Sequence, residues 1–292
     1  MNLLTVENLT KNYGALRALQ GVSLTLQAGE VFGLVGPDGA GKTSLIRILA
    51  GLLKASGGSV RRSFTGTVGY IAQRFALYRD LSVEENVNFF ADVYGLRNYG
   101  PRRDALLEQI GLGPFRKRLA EQLSGGMKQK LALCCSLIHE PGLLLMDEPT
   151  TGVDPVSRRE FWSIVFRLQR QGLTVLSSTP YMDEAEQFDR IALLHEGRIL
   201  RLGTADEVKT SVPGTVLAVF VENPYQAREI LRGGGVSQEV ELFGDSLHVV
   251  LPLGSPVTSE QIRSRLQDEG LAVRQVRPVD FSIEDVFLKV AQ

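Results

Sequence analysis

The stretch "VFGLVGPDGAGKT", residues 31–43, constrains this chain more than any other. An apolar run leads straight into a glycine-rich turn. Beyond the turn the period changes, and Leu45, Ile46, Ile48, Leu49, Leu52 and Leu53 fall on one helical face. A strand, a loop of the form G-x-x-x-x-G-K-[ST] and a helix must therefore follow one another directly. The loop residues Gly36, Pro37, Asp38, Gly39, Ala40 and Gly41 let the backbone curl into a nest of N–H groups. The start of the helix adds its own donors and the positive end of its dipole. Such a nest suits phosphate oxygens. Lys42 supplies a mobile cation for β- and γ-phosphates, Thr43 a hydroxyl for Mg²⁺, and Ser44 continues the same helical turn.

Around this unit, short β-rich runs alternate with helical ones, the pattern of an α/β domain. "LTVENLTKNY", "VSLTLQAGEVFGLVG" and "TVGYIAQ" read as strands, and "GLLLMD", "LTVLSST" and "DRIALLHEGRIL" return to buried-strand character. Residues 81–123 instead carry helical patterns, with Ser82 and Glu85 spaced as a capping box. An all-helical insertion of this kind reads as a subdomain. Ser211, Pro213 and Gly214 mark a linker, so the expected division is 1–210 and 211–292. Beyond it the order is βαββαβ, with Gly244-Asp245 turning between the middle strands, which is the ferredoxin-like plan of a small α+β domain.

Two further stretches carry chemistry. "LLLMDEP" is an apolar strand that ends in Asp147 and Glu148. Beside a phosphate loop, Asp147 suits a metal-bound water and Glu148 suits a general base that positions the attacking water. "LSGGMKQK" opens another helix, with Ser124 at the capping position and Gly125 and Gly126 baring its backbone. That second anion site cannot serve the first nucleotide. It becomes useful when the nucleotide of another subunit sits against it.

In this order, the three stretches resemble the ATP-binding subunits of ABC transporters, whose signature is "LSGGMKQ". The resemblance covers roughly residues 1–210 and implies a P-loop NTPase, a RecA-like core plus helical subdomain. It places Tyr13 of "KNYG" against adenine, and Gln73 of "GYIAQ" near Mg²⁺ and the attacking water. Asp154 of "TTGVDP" becomes the residue exchanged across a dimer. The ending "SIEDVFLKV", Ser282–Val290, is similar to that of drug-resistance and antibiotic exporters. What the family implies is an ATPase with ATP and Mg²⁺, which works with a second ATP-binding subunit, identical or homologous. Together they drive a separate membrane permease, an exporter.

One position departs from the family pattern. Within "SSTPYMDEAE", Pro180 stands where the resemblance expects a switch histidine on the γ-phosphate. The three histidines, His139, His195 and His248, all lie elsewhere in the sequence. Loss of one preorganised transition-state contact costs roughly 10²–10³ in rate. Binding survives such a loss better than turnover does. The competing expectation is therefore a nucleotide-responsive structural subunit with weak or no hydrolysis.

Bulk properties narrow the partners. A formal net charge of −1 argues against a nucleic-acid partner held by long-range electrostatics. No apolar run approaches the roughly 18 residues that span a bilayer. The opening "MNLLTVENLTKNYG" lacks the pattern of a secretory signal. The only cysteines, Cys134 and Cys135, are adjacent and read as buried reduced thiols. The expected location is cytoplasmic, peripheral on the cytoplasmic face of the membrane. A soluble relative acting on ribosomes or DNA would carry two cassettes or a long coiled-coil insertion, and this sequence shows neither.

Overall fold

Strand β1 (Asn2–Tyr13) and strand β2 (Leu16–Gln27) form a long antiparallel pair. Alternation along them buries Leu4, Val6, Leu9, Leu24 and Leu26 on one face, as a half-covered sheet requires. β3 (Val31–Val35) leads to α1 (Lys42–Leu49), then β4 (Gly57–Arg62) and β5 (Val68–Ile71). β4 adds to the free side of β1, giving a three-stranded sheet in the order β2-β1-β4. The computed structural model describes residues 1–291 apart from 234–236 and 238, packed as two compact units, Met1–Leu202 and Gly203–Gln292.

In the first unit, α2 (Val83–Val93) and α3 (Gly100–Ile110) precede α4 (Gly125–Leu137). Ser82 accepts a hydrogen bond from the Glu85 N–H, and Glu85 accepts from the Ser82 N–H at 2.8 Å, which completes the capping box. Where this helical segment leaves and re-enters the core, its two chain crossings are fastened together. The Val83 and Glu84 N–H groups donate to Arg118 O and Arg116 O, and the Ala120 N–H donates to Leu81 O. The fully buried Asn86 amide donates to Tyr78 O, Leu81 O and Ser82 O and accepts from the Tyr78 N–H.

β6 (Leu143–Asp147), α5 (Pro155–Gln169), β7 (Val175–Thr179), α6 (Met182–Ala185), β8 (Arg190–His195) and β9 (Arg198–Gly203) complete the core. Its six-stranded sheet has the order β5-β6-β7-β3-β8-β9, and β5 through β8 pair in parallel. Every residue of β3, β6 and β7 is buried, as expected for strands covered on both faces. Register sets Val35 beside Thr179 and Asp147 beside Ser178. The carboxyl ends of three central strands therefore share one edge, where α/β sheets hold their ligands.

Three local expectations need correction. The run "VSLTLQAGEVFGLVG" is two strands in two sheets, because Gly29 turns the chain at φ +77°. The helix after Lys42 ends at Leu49, with Gly51 at φ +78°, so Leu52 leaves the helical face and is 63% exposed. β4 escapes the sequence pattern because "GGSVRR" sits at a sheet edge and has no buried position to reveal it.

The second unit opens with α7 (Ala205–Thr210) and continues β10 (Thr215–Val221), α8 (Pro224–Gly233), β11 (Val240–Phe243), β12 (Ser246–Leu251), α9 (Ser259–Asp268), β13 (Val273–Val279) and α10 (Ile283–Val290). The sheet order is β11-β12-β10-β13, antiparallel throughout, with Gly244 at φ +59° in the β11–β12 turn. Helix residues Ala227, Leu231, Ile262 and Leu266 join Leu217, Val219, Leu247 and Val249 of the sheet in one core. The expected helix end at 234–235 and strand start at 236 lie outside the described residues. On the opposite face of β12, His248 Nδ1 lies 3.0 Å from both carboxylate oxygens of Asp285 at the start of α10. Burial alone would raise the Asp285 carboxyl. Hydrogen bonds from His248 and Ser282 outweigh it and hold the group below its ordinary range.

α7 packs on α10 with Val208 buried, so the structural break falls ahead of the Ser211–Gly214 stretch read as a linker. Each unit has its own hydrophobic cluster. A chain cut after Gly203 is therefore expected to stay folded, with its melting midpoint within about 4 °C of the full chain, a shift worth roughly 1 kcal/mol at this size. Circular dichroism during heating measures this. Aggregation of the shortened chain, or loss of a cooperative transition, would contradict it.

Candidate functional site

At the end of β3 the glycine-rich loop turns tightly into α1. Gly41, the residue ahead of the helix, lies at φ +105°, and a Cβ there would stand 2.5 Å from Ala18 O, so only glycine fits. No side chain caps the helix start. Lys42, only 3% exposed, folds back so that Nζ donates to Gly36 O at 2.7 Å and Pro37 O at 2.9 Å. Its third partner is Glu148 Oε1 at 3.1 Å. Thr43 Oγ1 donates to Asp147 Oδ1 at 3.0 Å.

The two acids at the end of β6 sit in different surroundings. Asp147 Oδ1 accepts from both Thr43 and Ser178, whereas Oδ2 is buried with no partner among the described residues. Burial pushes the Asp147 carboxyl up, against the hydrogen bonds from Thr43 and Ser178. Glu148 Oε2 accepts from Gln73 Nε2 at 2.9 Å and from Thr151 Oγ1 at 3.3 Å. Its backbone lies at φ +50°, a conformation costing on the order of 1–3 kcal/mol for a residue with a side chain. The Glu148 N–H donates to Ser178 Oγ at 2.9 Å, which holds that backbone in place.

A cleft of about 380 Å³ opens over this group. Tyr13, Asp38, Gly39, Ala40, Gly41, Lys42, Thr43, Ser44, Gln73 and Glu148, all expected from the sequence, line it together. The Tyr13 hydroxyl lies 3.4 Å from Ser44 Oγ. Gly36 and Pro37 reach the group through their carbonyls, and Asp147 lies behind Thr43. Four more expected residues, Ser124, Gly125, Gly126 and Asp154, neither line the cleft nor bond to the residues that do. Ser124 caps α4 by accepting from the Met127 N–H, and Asp154 caps α5 by accepting from the Val156 and Ser157 N–H groups. Gly126 is pressed so closely on Ser157 that a Cβ would lie 2.5 Å from the serine Cβ. The Ser124–Gly126 segment and Asp154 thus form a second surface, built where two helix starts meet.

The strand end at Pro180 keeps a rigid frame. Thr179 Oγ1 donates to Glu184 Oε2 at 2.5 Å and accepts from the Tyr181 N–H, while Thr150 Oγ1 donates to Glu184 Oε1 at 2.7 Å. Glu184 is 2% exposed. Sequence reasoning missed the roles of Ser178, Thr151 and Glu184. Hydroxyl residues were visible at the strand end, but only the register with β6 decides which of them faces the acids.

A buried cation, an uncapped helix start and an orphaned carboxylate oxygen beside a hydroxyl are a donor set for phosphate and a hard divalent cation. Comparison with known proteins points the same way. A family model described as "ABC transporter" matches residues 19–151. The chain is 44% identical over 304 residues to the probable multidrug ABC transporter ATP-binding protein YbhF of Escherichia coli (strain K12), covering 98% of this chain and 51% of that protein. It thus spans about half the length of that relative. Identity is 35% over 295 residues to the daunorubicin/doxorubicin resistance ATP-binding protein DrrA of Streptomyces peucetius, covering 96% of this chain and 89% of that one. Among solved structures, the dimeric post-hydrolysis state of the ATP-binding cassette MJ0796 bound to ADP and Pi superposes with a TM-score of 0.63. The two are 26% identical over 69% of this chain and 98% of that chain.

Proposed function

The chain belongs to the ATP-binding subunits of ABC transporters, a family of ATPases, and from that premise we propose that it hydrolyses MgATP to drive a separate membrane permease of the exporter type. One observation carries the reading: Lys42 and Glu148, 3.1 Å apart, share a cleft with Gln73, Thr43 and the loop donors. This assembled group favours hydrolysis over a purely structural subunit. Bound MgATP supplies the electrophilic phosphorus and the metal that neutralises its charge. Lys42 binds β- and γ-phosphate oxygens and in doing so releases Glu148. Thr43 would hold the metal, and Asp147 would hold a metal-bound water. Gln73 orients the attacking water, whose proton Glu148 accepts. The Tyr13 ring, 46% exposed at the mouth of the cleft, carries adenine.

Ser124, Gly125, Gly126 and Asp154 serve a second ATP-binding subunit, identical or homologous. They lie off their own cleft, and the MJ0796 cassette is dimeric. Among the described residues no helix is long and apolar enough to cross a membrane. A groove of about 470 Å³, lined by Leu52, Tyr70, Phe75, Phe90 and Tyr94, offers the permease an apolar seat beside the helical segment. The export assignment follows the resistance proteins among the relatives. Location on the cytoplasmic face of the membrane goes with it.

Steady-state phosphate release at saturating MgATP tests the proposal. A parent chain with no release above a metal-free control would refute it. The same assay addresses Pro180. The loop frame is fixed by Thr179 and Glu184, and Pro180 supplies neither an imidazole nor a backbone N–H. Pro180→His is expected to raise turnover by roughly a hundredfold, the low end of what one preorganised donor contributes. A brisk parent rate that the substitution leaves unchanged would show that the imidazole was never limiting.

A further inference from the structure

Ser178 is fully buried, lies in the centre of the parallel sheet, and is the register partner of Asp147. Its single hydroxyl makes two bonds of opposite sense. It accepts from the Glu148 N–H at 2.9 Å and donates to Asp147 Oδ1 at 3.0 Å. The first bond falls on the residue whose backbone is strained at φ +50°. The second, with the Thr43 hydroxyl, occupies one carboxylate oxygen of Asp147 and leaves Oδ2 without a partner among the described residues. The neighbouring hydroxyls have other duties: Ser177 Oγ points to a backbone carbonyl and Thr179 Oγ1 to Glu184.

We propose that Ser178 is a positioning residue for the ATPase site, fixing the Asp147 carboxylate so that Oδ2 faces the metal and fixing the backbone from which Glu148 projects. Without the Ser178 hydroxyl the Asp147 carboxylate is held at Oδ1 by Thr43 alone, so it turns more easily about its last bond and presents Oδ2 less strictly. The Glu148 N–H also loses its acceptor, so the strained conformation keeps only the Thr151 N–H on its carbonyl and its side-chain bonds to hold it. The dependence on metal and the chemical step should suffer together. Contacts of the loop with phosphate, which do not involve Ser178, should not. This inference rests on the ATPase reading, because it concerns how that site receives its metal.

The test uses the full chain and two kinds of measurement. Calorimetry with ATPγS gives the nucleotide affinity in EDTA and again with Mg²⁺. Phosphate release gives kcat and the Mg²⁺ concentration for half-maximal turnover. Ser178→Ala is expected to leave the EDTA affinity unchanged, to shrink the gain on adding Mg²⁺ by about tenfold and to lower kcat by about tenfold, the scale of one hydrogen bond to a charged group. Ser178→Thr and Ser178→Val are matched in shape and differ in the hydroxyl, so their comparison removes packing from the result even where alanine harms folding. The threonine variant should exceed the valine variant in both Mg²⁺ gain and kcat. Equal behaviour of that pair, or an EDTA affinity that falls as far as the Mg²⁺ affinity, overturns the inference. A parent chain that binds no ATPγS in either condition overturns instead the ATPase reading beneath it.

Discussion

Glu148→Gln is expected to lower steady-state phosphate release by about 10³-fold while ATP stays bound, within the span of general-base contributions. The amide keeps the shape of the carboxylate and can still accept from Gln73 and Thr151, which both reach Oε2. It cannot accept a proton from water. With hydrolysis blocked, ATP should hold two chains together, so size exclusion with ATP and Mg²⁺ should show a dimer for the variant. The ion pair with Lys42 adds a second expectation. Lys42 would retain two carbonyl partners and lose its counter-charge, so the variant without nucleotide should melt earlier than the parent. Hydrolysis at the parent rate, or a variant that stays monomeric with ATP, would contradict the assignment.

Lys42→Ala should weaken ATP binding by roughly a hundredfold, the equivalent of about 2.7 kcal/mol for two charge-assisted hydrogen bonds lost at once. The substitution also removes the cation facing Glu148, whose carboxylate is 4% exposed. Breaking a buried pair from one side costs more than the pair contributes, because the remaining charge stays uncompensated. Some loss of thermal stability should therefore accompany the loss of affinity. Calorimetric titration of parent and variant with ATP measures the first effect, and a melting curve the second. Unchanged affinity would remove Lys42 from the phosphate site.

Much of the core was legible because the strongest signals are changes of period at short range. The switch from "VFGLV" to a helical face after Lys42 fixed strand, loop and helix together, and the apolar run ending in Asp147 and Glu148 placed the acids at a strand tip. The C-terminal βαββαβ plan was legible for the same reason, with its turn at Gly244. What the sequence concealed depends on partners distant along the chain. "GGSVRR" becomes a strand only because β1 has a free side to pair with. α7 belongs with α10, about eighty residues on, so composition alone set the boundary too late. Ser178 offered no local sign of its role, since three adjacent hydroxyls look alike until the register with β6 selects one. The placement of Ser124 and Gly126 away from the cleft was anticipated through the reasoning that a second anion site needs a second subunit, and that of Asp154 only through the family resemblance.

The fastening at the base of the helical segment has a mechanical consequence. An insert joined to its core by two independent loops behaves as a pendulum, and a push at its tip is absorbed in the loops. Here the outgoing and returning chains are tied through Val83, Glu84, Ala120 and Glu121, whose N–H groups donate across the gap, so they form one stem. A stem of that kind turns as a lever. Outside the tie the chain enters through the stretch from Gln73 to Leu77, the pivot of such a lever, while α2 and α3 rest on α4 and Arg102 donates to Leu137 O and Ile138 O. Gln73 stands at that pivot with its amide on Glu148. A rotation of the lever by a few degrees would therefore be felt at the carboxylate, and a change in what the carboxylate holds would be delivered, magnified by the length of the helices, to whatever rests on the far end.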